Sequence, residues 1–273
     1  MNHLSTKGAT GAALLFAFVL FGCAGGRQVS ERKIVRESSR EYTVGATLWY
    51  QRSAEARALY YQAYRLARHL LTDAIRSGTH PHPAVILDID ETVLDNSPYQ
   101  ANLIRKRESY TPSSWKRWTA RSDANVLPGA VEFLMHADSM GVAIFFVTNR
   151  DADEADATLR NLQRKGVPQA TIDHILPRTS MSSKEPRRKA ITEDHDVVLL
   201  IGDNLSDFSE VFERRTADER SDLVDSVRSS FGVEFVVMPN PMYGDWEGAL
   251  YGYDWSLPDS VRAAMRMKEL VGY

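Results

Sequence analysis

Apolar runs of strand length alternate along this chain with segments of helical periodicity. Five short runs rich in Val, Ile, Leu and Phe occupy residues 84–87, 142–147, 172–176, 197–201 and 234–238. Continuous apolar runs of this length are typical of parallel strands that are buried on both faces. Residues 44–75 and 260–271 instead place apolar side chains at helical spacing. The pattern predicts an α/β fold with a Rossmann-like, doubly wound parallel sheet and with N- and C-terminal helices.

The amino-terminal segment has the pattern of an export signal. Lys7 is followed by an uncharged, apolar stretch at residues 8–21, which is shorter than the roughly 20 residues that a membrane span needs. The stretch ends in Leu-Phe-Gly-Cys, which resembles a bacterial lipobox; the alternative is an ordinary secretory signal with an incidental cysteine. We expect a lipoprotein signal peptide at residues 1–22, lipidation of Cys23, and a flexible tether over residues 23–43 before a domain at 44–273.

Composition narrows the possible chemistry. Lys and Arg total 33 against 36 Asp and Glu, a formal net charge of −3, which gives no sign of a protein that binds nucleic-acid polymers. Cys23 is the only cysteine of the sequence, so an intrachain disulfide and a CxxC metal or redox motif are both excluded. Any bound metal must therefore have oxygen or histidine ligands.

Polar side chains follow three of the predicted strands directly. They are Asp88 and Asp90 after the first strand, Thr148 and Asn149 after the second, and Asp203 and Asp207 after the fourth. In a doubly wound sheet, ligands bind beyond the carboxyl ends of the strands, where these groups converge. Several carboxylates in one crevice repel one another unless a cation compensates them, so the arrangement predicts a divalent cation with oxygen ligands, Mg²⁺.

Four ordered motifs resemble those of one enzyme family. The string DIDET at residues 88–92 resembles the DxDxT signature of the haloacid dehalogenase superfamily, and its extension through residue 100 resembles the bacterial class C acid phosphatases, which are lipoprotein nucleotidases. Similar motifs are VTNR at 147–150, GDNLSDF at 202–208 and YGDWEG at 243–248. The resemblance covers about residues 44–248 and implies a haloacid dehalogenase-like fold with a small helical cap and acid phosphatase activity on phosphate monoesters.

The catalytic roles follow from what phosphate-ester cleavage needs, which is a nucleophile, a proton for the leaving oxygen and positive charge for the phosphoryl group. Asp88 fits the nucleophile, which would form an aspartyl-phosphate, and Asp90 fits the general acid. Thr148 is expected to donate to a phosphoryl oxygen, with a helix N-cap as its alternative role. The resemblance implies Lys184 as the phosphoryl cation, since it lies 19 residues before the fourth-strand Asp203.

The metal ligands are expected among the same residues. Asp88 would coordinate Mg²⁺ through one carboxylate oxygen, and Asp203 is the second direct ligand. The superfamily resemblance implies that Asp90 contributes its backbone carbonyl. Asp207 would hold a metal-bound water or brace Lys184, with an ordinary surface position as the alternative.

Substrate choice is expected to lie in an insertion at about residues 96–127, where aromatic and basic residues interleave. Trp115 offers a flat face for a nucleobase or an aryl group, and Tyr243 can form the opposite face. Asn149 is assigned to substrate binding. The alternative is that Trp115 and Trp118 pack the cap onto the core. Nucleoside monophosphates are the expected substrates.

Two other functions remain open at this point. A phosphotransferase or phosphomutase would keep the same motifs but protect the aspartyl-phosphate from water. A surface lipoprotein that binds a ligand without turnover would keep only the fold, although the presence of both Asp88 and Asp90 argues against it. The lipobox implies an exported protein that is lipid-anchored to the bacterial cell envelope, in the outer membrane facing the periplasm or the surface.

Overall fold

The computed structural model describes residues 41–273. The predicted signal peptide, the lipidation at Cys23 and most of the tether lie outside the described residues. Among the residues that are described, no helix combines the length and apolarity that crossing a bilayer requires.

A parallel sheet forms the centre of the domain. In chain order the strands are β1 (Pro83–Leu87), β2 (Leu94–Asp95), β3 (Asn125–Val126), β4 (Ala143–Asp151), β5 (Ile175–Arg178), β6 (Asp196–Gly202) and β7 (Phe235–Val237). Five of them pair in parallel in the order β5-β4-β1-β6-β7, while β2 and β3 form a separate antiparallel pair. The predicted doubly wound α/β fold is confirmed. The third predicted strand begins late because Ile172–His174 form a 3₁₀ turn.

Helices surround this sheet. They are α1 (Val44–Arg52), α2 (Ala54–Arg76), α3 (Ser97–Lys106), α4 (Pro112–Thr119), α5 (Ala130–Ser139), α6 (Ala155–Arg164), α7 (Glu185–Thr192), α8 (Ala217–Ser226), α9 (Asp245–Leu250) and α10 (Asp259–Glu269). The helical segment predicted at 44–75 is interrupted at Ser53, whose backbone is extended. The Ser53 hydroxyl accepts a hydrogen bond from the Ala56 N–H at 3.0 Å and so caps α2.

The first strand, β1, is buried on both faces, as its composition predicts. Val85 and Leu87 of β1 pack into the main core, which also contains residues of α2 and α5. Ile86 points to the other face and contacts a smaller cluster with Val147 and Ile191 of β4 and α7. Packing on both sides fixes the position of β1, so the residue that follows it is held firmly.

The insertion predicted at residues 96–127 contains α3 and α4. Its two ends meet in the β2–β3 pair, where Leu94 pairs with Val126. At its carboxyl end the insertion leads directly into α5, which returns the chain to β4 of the central sheet.

The folded domain begins before the predicted boundary at Val44. Glu41–Thr43 form a 3₁₀ turn of three residues, so the predicted tether is too long by that turn. The Tyr42 hydroxyl donates to the buried Glu247 of α9. The guanidinium of Arg266 in α10 lies 3.6 Å from the centre of the Tyr42 ring. The carboxyl-terminal helix therefore contacts the amino-terminal turn, as well as α9.

Candidate active site

Three carboxylates meet beyond the carboxyl ends of β1 and β6. Asp88 follows β1, and its backbone N–H donates to the Ile201 carbonyl of β6 at 2.9 Å. Asp203 follows β6, and Asp207 closes the 3₁₀ turn Leu205–Asp207. Each of the three offers an oxygen within 4.8 Å of the others. The structure therefore brings together the carboxylates that the sequence placed at separate strand ends.

The last residue of β6 has to be small for this convergence. A Cβ atom on Gly202 would lie 2.5 Å from the Asp207 Cβ, far inside van der Waals contact. The Asp207 Oδ2 accepts from the Asn204 N–H at 2.9 Å, which holds the side chain in place. The tight turn after β6 therefore depends on the missing side chain at position 202.

One buried ammonium group lies among the carboxylates. Lys184, at the start of α7, donates to Asp88 and to Asp207 Oδ1, the latter at 2.6 Å. Burial alone would lower the pKa of Lys184, but the charges of Asp207 and Asp88 outweigh it and raise that pKa. Lys184 is therefore a fixed positive charge at this edge of the sheet.

The carboxylates are not fully neutralised by that single charge. Burial raises the pKa of Asp88 to about 7, Lys184 opposes this, and the neighbouring Asp207 and Asp90 add to it. Burial and the charges of Asp207 and Asp88 likewise raise the pKa of Asp203 well above its ordinary value. Two buried carboxylates and one half-buried carboxylate around one ammonium group fit a divalent cation with oxygen ligands. Asp88, Asp203 and Asp207 are the residues that would hold it.

Asp90 lines the same cavity but is held by other partners. Arg150 donates to Asp90 Oδ1 through Nη2 at 2.7 Å and through Nε at 3.0 Å, and its Nε also lies 3.2 Å from Oδ2. The Asn96 Nδ2 donates to Asp90 Oδ1 at 2.8 Å. The Asp90 side chain is 18% exposed while that of Arg150 is 2% exposed. The carboxyl group of the predicted general acid is therefore hydrogen-bonded by Arg150 and Asn96 and remains partly exposed to the cavity.

The two predicted residues of β4 have different surroundings. Thr148 is buried inside the strand, so the alternative role as a helix N-cap is wrong. Its hydroxyl accepts from the Arg150 N–H at 3.1 Å, and among the described residues it is not part of the cavity wall. Asn149 does line the cavity, and its Oδ1 accepts from Arg187 Nη2 at 2.7 Å. The structure thus brings Asn149 to the cavity wall; the Thr148 hydroxyl accepts from Arg150 and keeps its own proton, so its donation to a phosphoryl oxygen stays a prediction.

A cavity of about 740 Å³ leads outward from the carboxylates. Its wall includes the predicted Trp115 and Tyr243, and also Tyr42, Tyr110, Tyr253 and Trp255. Aromatic faces thus surround the space that a leaving group would occupy. A cavity of this size accepts a small organic molecule.

The two tryptophans of α4 have different roles. Trp118 packs against the main core, and its indole N–H donates to Asn96 Oδ1 at 2.8 Å. Trp115 lines the cavity and meets the Tyr99 ring edge-on, with centroids 5.1 Å apart. Trp118 therefore packs the cap onto the core, whereas Trp115 is available to a ligand and also contacts a neighbour within the cap.

Tyr243 lines the same cavity and lies in the loop before α9. Its hydroxyl donates to the carboxylate of Glu91, which is fully buried. The backbone of Glu91 has a φ of 58°, in the left-handed region. Burial and the charges of Asp90 and Asp203 raise the pKa of Glu91 well above its ordinary value. Glu91 thus fixes the hydroxyl of Tyr243 and leaves its ring as part of the cavity wall.

Sequence reasoning gave no role to Arg150, Asn96 or Glu91. All three lie inside the quoted motifs; Glu91 directly follows Asp90, and Arg150 directly follows Asn149. What singles them out is burial, because a polar side chain that is 0–2% exposed has to be satisfied by specific partners. Adjacency to a predicted site residue was the available signal for Glu91 and Arg150, but burial cannot be read from one sequence.

Comparison with known proteins supports the same fold. The family described as HAD superfamily, subfamily IIIB (acid phosphatase), where HAD denotes haloacid dehalogenase, matches residues 13–246. The class C acid phosphatase of Bacillus anthracis is 42% identical, with a TM-score of 0.84 over 86% of this chain and 99% of that chain. Its tungstate-bound structure is also 42% identical, with a TM-score of 0.82 over 85% of this chain and 98% of that chain.

Two curated plant proteins are more distant relatives. Acid phosphatase 1 of Solanum lycopersicum is 25% identical over 58% of this chain and 57% of its own length. The stem 31 kDa glycoprotein of Glycine max is 28% identical over 47% of this chain and 53% of its own length. The chain thus spans about half the length of these curated relatives. The resemblance seen in four sequence motifs is confirmed, and the chain belongs to the subfamily IIIB acid phosphatases of the HAD superfamily.

Proposed function

We propose that the protein is an Mg²⁺-dependent acid phosphatase that hydrolyses phosphate monoesters, with nucleoside monophosphates as substrates, through an aspartyl-phosphate on Asp88. The observation that carries the proposal is the cluster of Asp88, Asp203 and Asp207 with Lys184 at the base of a ring-lined cavity. Family membership supports the reaction class, and the hard oxygen donors support magnesium.

Asp88 is the nucleophile in this proposal. It lies at the end of a strand packed on both faces, so its carboxylate is held at the base of the cavity for in-line attack on phosphorus. Lys184 contacts Asp88 and is placed to neutralise the phosphoryl oxygens. The bound cation, held by Asp88, Asp203 and Asp207, would supply further positive charge for the same oxygens.

Asp90 is the acid and base of the proposed cycle. As the bond from Asp88 to phosphorus forms and the ester bond breaks, the proton of the Asp90 carboxyl passes to the leaving oxygen. The resulting carboxylate then takes a proton from the water that hydrolyses the aspartyl-phosphate. The open face of Asp90 towards the cavity supports both transfers.

The leaving group would lie between aromatic rings. Trp115 from the cap and Tyr243 from the loop before α9 line the cavity that contains Asp88 and Asp90. A nucleobase offers a flat face to such rings, and stacking accepts different bases. Asn149 lines the same cavity as a polar partner for the substrate.

Anchoring at the cell envelope is a further part of the proposal. It rests on the lipobox-like sequence that ends at Cys23 and on the polar residues that follow it. The protein would then be exported and held in the outer membrane by its lipidated Cys23. Metabolic labelling with a fatty acid tests this, because Cys23→Ala should abolish labelling and release the protein in soluble form.

The reaction is tested with Asp88→Asn, which keeps the size of the side chain but removes the nucleophilic oxygen. We expect this variant to remain folded and to lose turnover of nucleoside monophosphates by at least about 10³-fold. The exposed Asp194→Asn is the matched control and should be unaffected. Mass spectrometry of protein quenched during turnover should find phosphate on Asp88.

The metal and the competing functions are tested in the same assay. Chelation should abolish activity and Mg²⁺ should restore it, whereas Asp203→Ala with an unchanged response to Mg²⁺ would refute the proposed metal site. Phosphate that appears on an added alcohol instead of in solution would indicate a phosphotransferase. A folded wild-type protein without turnover on any phosphate monoester would indicate a binding protein.

A further inference from the structure

Arg150 lies at the carboxyl end of β4 and its side chain is almost completely buried. A buried guanidinium has to be paired and hydrogen-bonded to be stable. Its Nη1 donates to Thr158 Oγ1 at 3.1 Å, and its Nε and Nη2 both donate to Asp90. The ionic partner of this guanidinium is therefore the carboxylate of Asp90, the predicted general acid.

The other basic residues of this region are directed elsewhere. Lys184 contacts Asp88 and Asp207. Arg187 donates to the Thr148 carbonyl at 2.6 Å and to Asn149. Among the ion pairs of residues 41–273, Asp90 is paired with Arg150 alone. The forked geometry of an arginine fixes both the plane and the direction of a carboxyl group, which a lysine cannot do.

Arg150 also contacts the cap. Its guanidinium carbon lies 5.8 Å from the centre of the Trp115 ring, within the range of a cation–π contact. Asn96 supports the same assembly, because its Nδ2 donates to Asp90 while its Oδ1 accepts from Trp118. The general acid is therefore joined to the cap through Arg150 and Asn96.

We propose that Arg150 is a positioning residue that holds the carboxyl group of Asp90 in the one orientation from which it can protonate the leaving oxygen. The inference rests on the proposed phosphatase function. In the step concerned, an oxygen of Asp88 bonds to phosphorus, the ester P–O bond breaks, and the Asp90 proton moves to the departing oxygen. Arg150 remains paired with the Asp90 carboxylate and exchanges no proton.

The test compares two esters that carry the same kind of ring but differ in their need for a proton. Benzyl phosphate releases an alkoxide that must be protonated, whereas dinitrophenyl phosphate releases a weakly basic phenolate. Arg150→Met should lower kcat/KM for benzyl phosphate by roughly 10- to 100-fold and for dinitrophenyl phosphate by less than about 3-fold. The ratio kcat/KM is the right measure because it excludes the later hydrolysis of the aspartyl-phosphate.

Arg178→Met is the matched control. Arg178 also forms an arginine–carboxylate pair beside β4, with Asp151 at 2.5 Å, but it touches neither Asp90 nor the cavity wall. This variant should leave the ratio of the two kcat/KM values unchanged. Arg150→Lys keeps the charge without the fork, and it should restore part of the loss on benzyl phosphate.

Thr158→Val keeps the test decisive if Arg150→Met does not fold. It removes one acceptor of the guanidinium while keeping the charge of Arg150 and the branched shape of the side chain at position 158. A loss selective for benzyl phosphate in Thr158→Val or Arg150→Lys supports the inference. If these variants lose kcat/KM equally on both esters, or lose none on either ester, the inference is overturned. A wild-type protein inactive on both esters would instead refute the proposed function, and the inference with it.

Discussion

Asp88 and its neighbours carry more negative charge than Lys184 can neutralise. Two of the three clustered carboxylates have raised pKa values, mainly because they are buried. Such clusters are unfavourable for stability and occur where a site needs the charge for binding or catalysis. The same excess of negative charge that costs stability would favour a bound cation, and that cation together with Lys184 would attract an anionic phosphoryl group.

Trp115 allows specificity to be tested at a single side chain. If the indole stacks on a base, Trp115→Ala loses about 1–3 kcal/mol, or roughly 5- to 150-fold in affinity. We expect KM for nucleoside monophosphates to rise by a factor in that range, with little change for glycerol phosphate, which has no ring. Steady-state kinetics on the two substrates measure the difference.

Thermal unfolding distinguishes stacking of Trp115 on the substrate from packing of Trp115 within the cap. Trp115 also meets Tyr99 edge-on, so its removal could weaken the cap. Loss of packing would lower the melting temperature and affect both substrates alike. That result would limit the function to a phosphatase of broad specificity.

The sequence predicted which polar residues gather at the site better than it predicted their contacts. Apolar runs followed by carboxylates place Asp88, Asp203 and Asp207 at one edge of the sheet because parallel strands share that edge. Thr148 was expected to donate to a phosphoryl oxygen, and the hydrogen bond that its hydroxyl accepts from the Arg150 N–H was not foreseen. Side-chain partners depend on residues distant in sequence, which one chain's pattern does not contain.

The β6 strand and the turn after it form the element on which the cation site depends. Gly202→Ala would push the new methyl group into Asp207, whose position is fixed by Asn204 and Lys184. We expect the substitution to reduce Mg²⁺ affinity by at least about 10-fold and to destabilise the protein by about 1–3 kcal/mol. Isothermal titration of Mg²⁺ and thermal unfolding measure the two effects.

Gly45→Ala is the control for the same chemical change. Gly45 lies in α1, and no atom is within 4 Å of the position its Cβ would take. Its replacement should leave Mg²⁺ binding unchanged and stability equal or slightly higher. Normal Mg²⁺ affinity in Gly202→Ala would show that Asp207 is not needed for the cation.

The bounds of the helices and strands show which features a local sequence pattern can predict. The five strands of the central sheet were located from apolar runs, because buried strands leave a continuous signal, whereas the two-residue strands β2 and β3 were not predicted. The break between α1 and α2 at Ser53 was not located, since serine is compatible with both a helix interior and a cap. The turn at Ile172–His174 was likewise assigned to a strand, because a short apolar run does not identify its own conformation.

Taken as a whole, the domain builds its cavity from distant parts of the chain. Tyr42 precedes α1, Trp115 belongs to the cap, and Arg262 belongs to α10, yet all three line one cavity. Tyr42 and Tyr251 both donate to Glu247, and Arg266 of α10 donates to Tyr251. These long-range contacts left no periodic signal in the sequence, which is why Tyr42 was assigned to the tether.

The buried carboxylates make stability depend on pH in a direction set by their charge. The unfolded chain releases the Asp88 proton near pH 4, whereas burial raises the pKa of the folded group to about 7. Between these values the folded protein binds more protons than the unfolded chain, so raising the pH costs stability, by about 1.4 kcal/mol per pH unit and group at most. Asp203 and Glu91, whose pKa values are also raised by burial, act in the same direction.

We therefore expect the melting temperature of the chelated protein to fall as the pH rises from 5 to about 7. Mg²⁺ binds the ionised carboxylates of the folded state, so it should raise the melting temperature most at pH 7 and remove the decline. Asp88→Asn should make the decline shallower in chelator, while Asp194→Asn should not. Differential scanning calorimetry across this range measures the change. A chelated wild-type protein that gains stability between pH 5 and 7 would show that burial does not raise the pKa values of the clustered carboxylates.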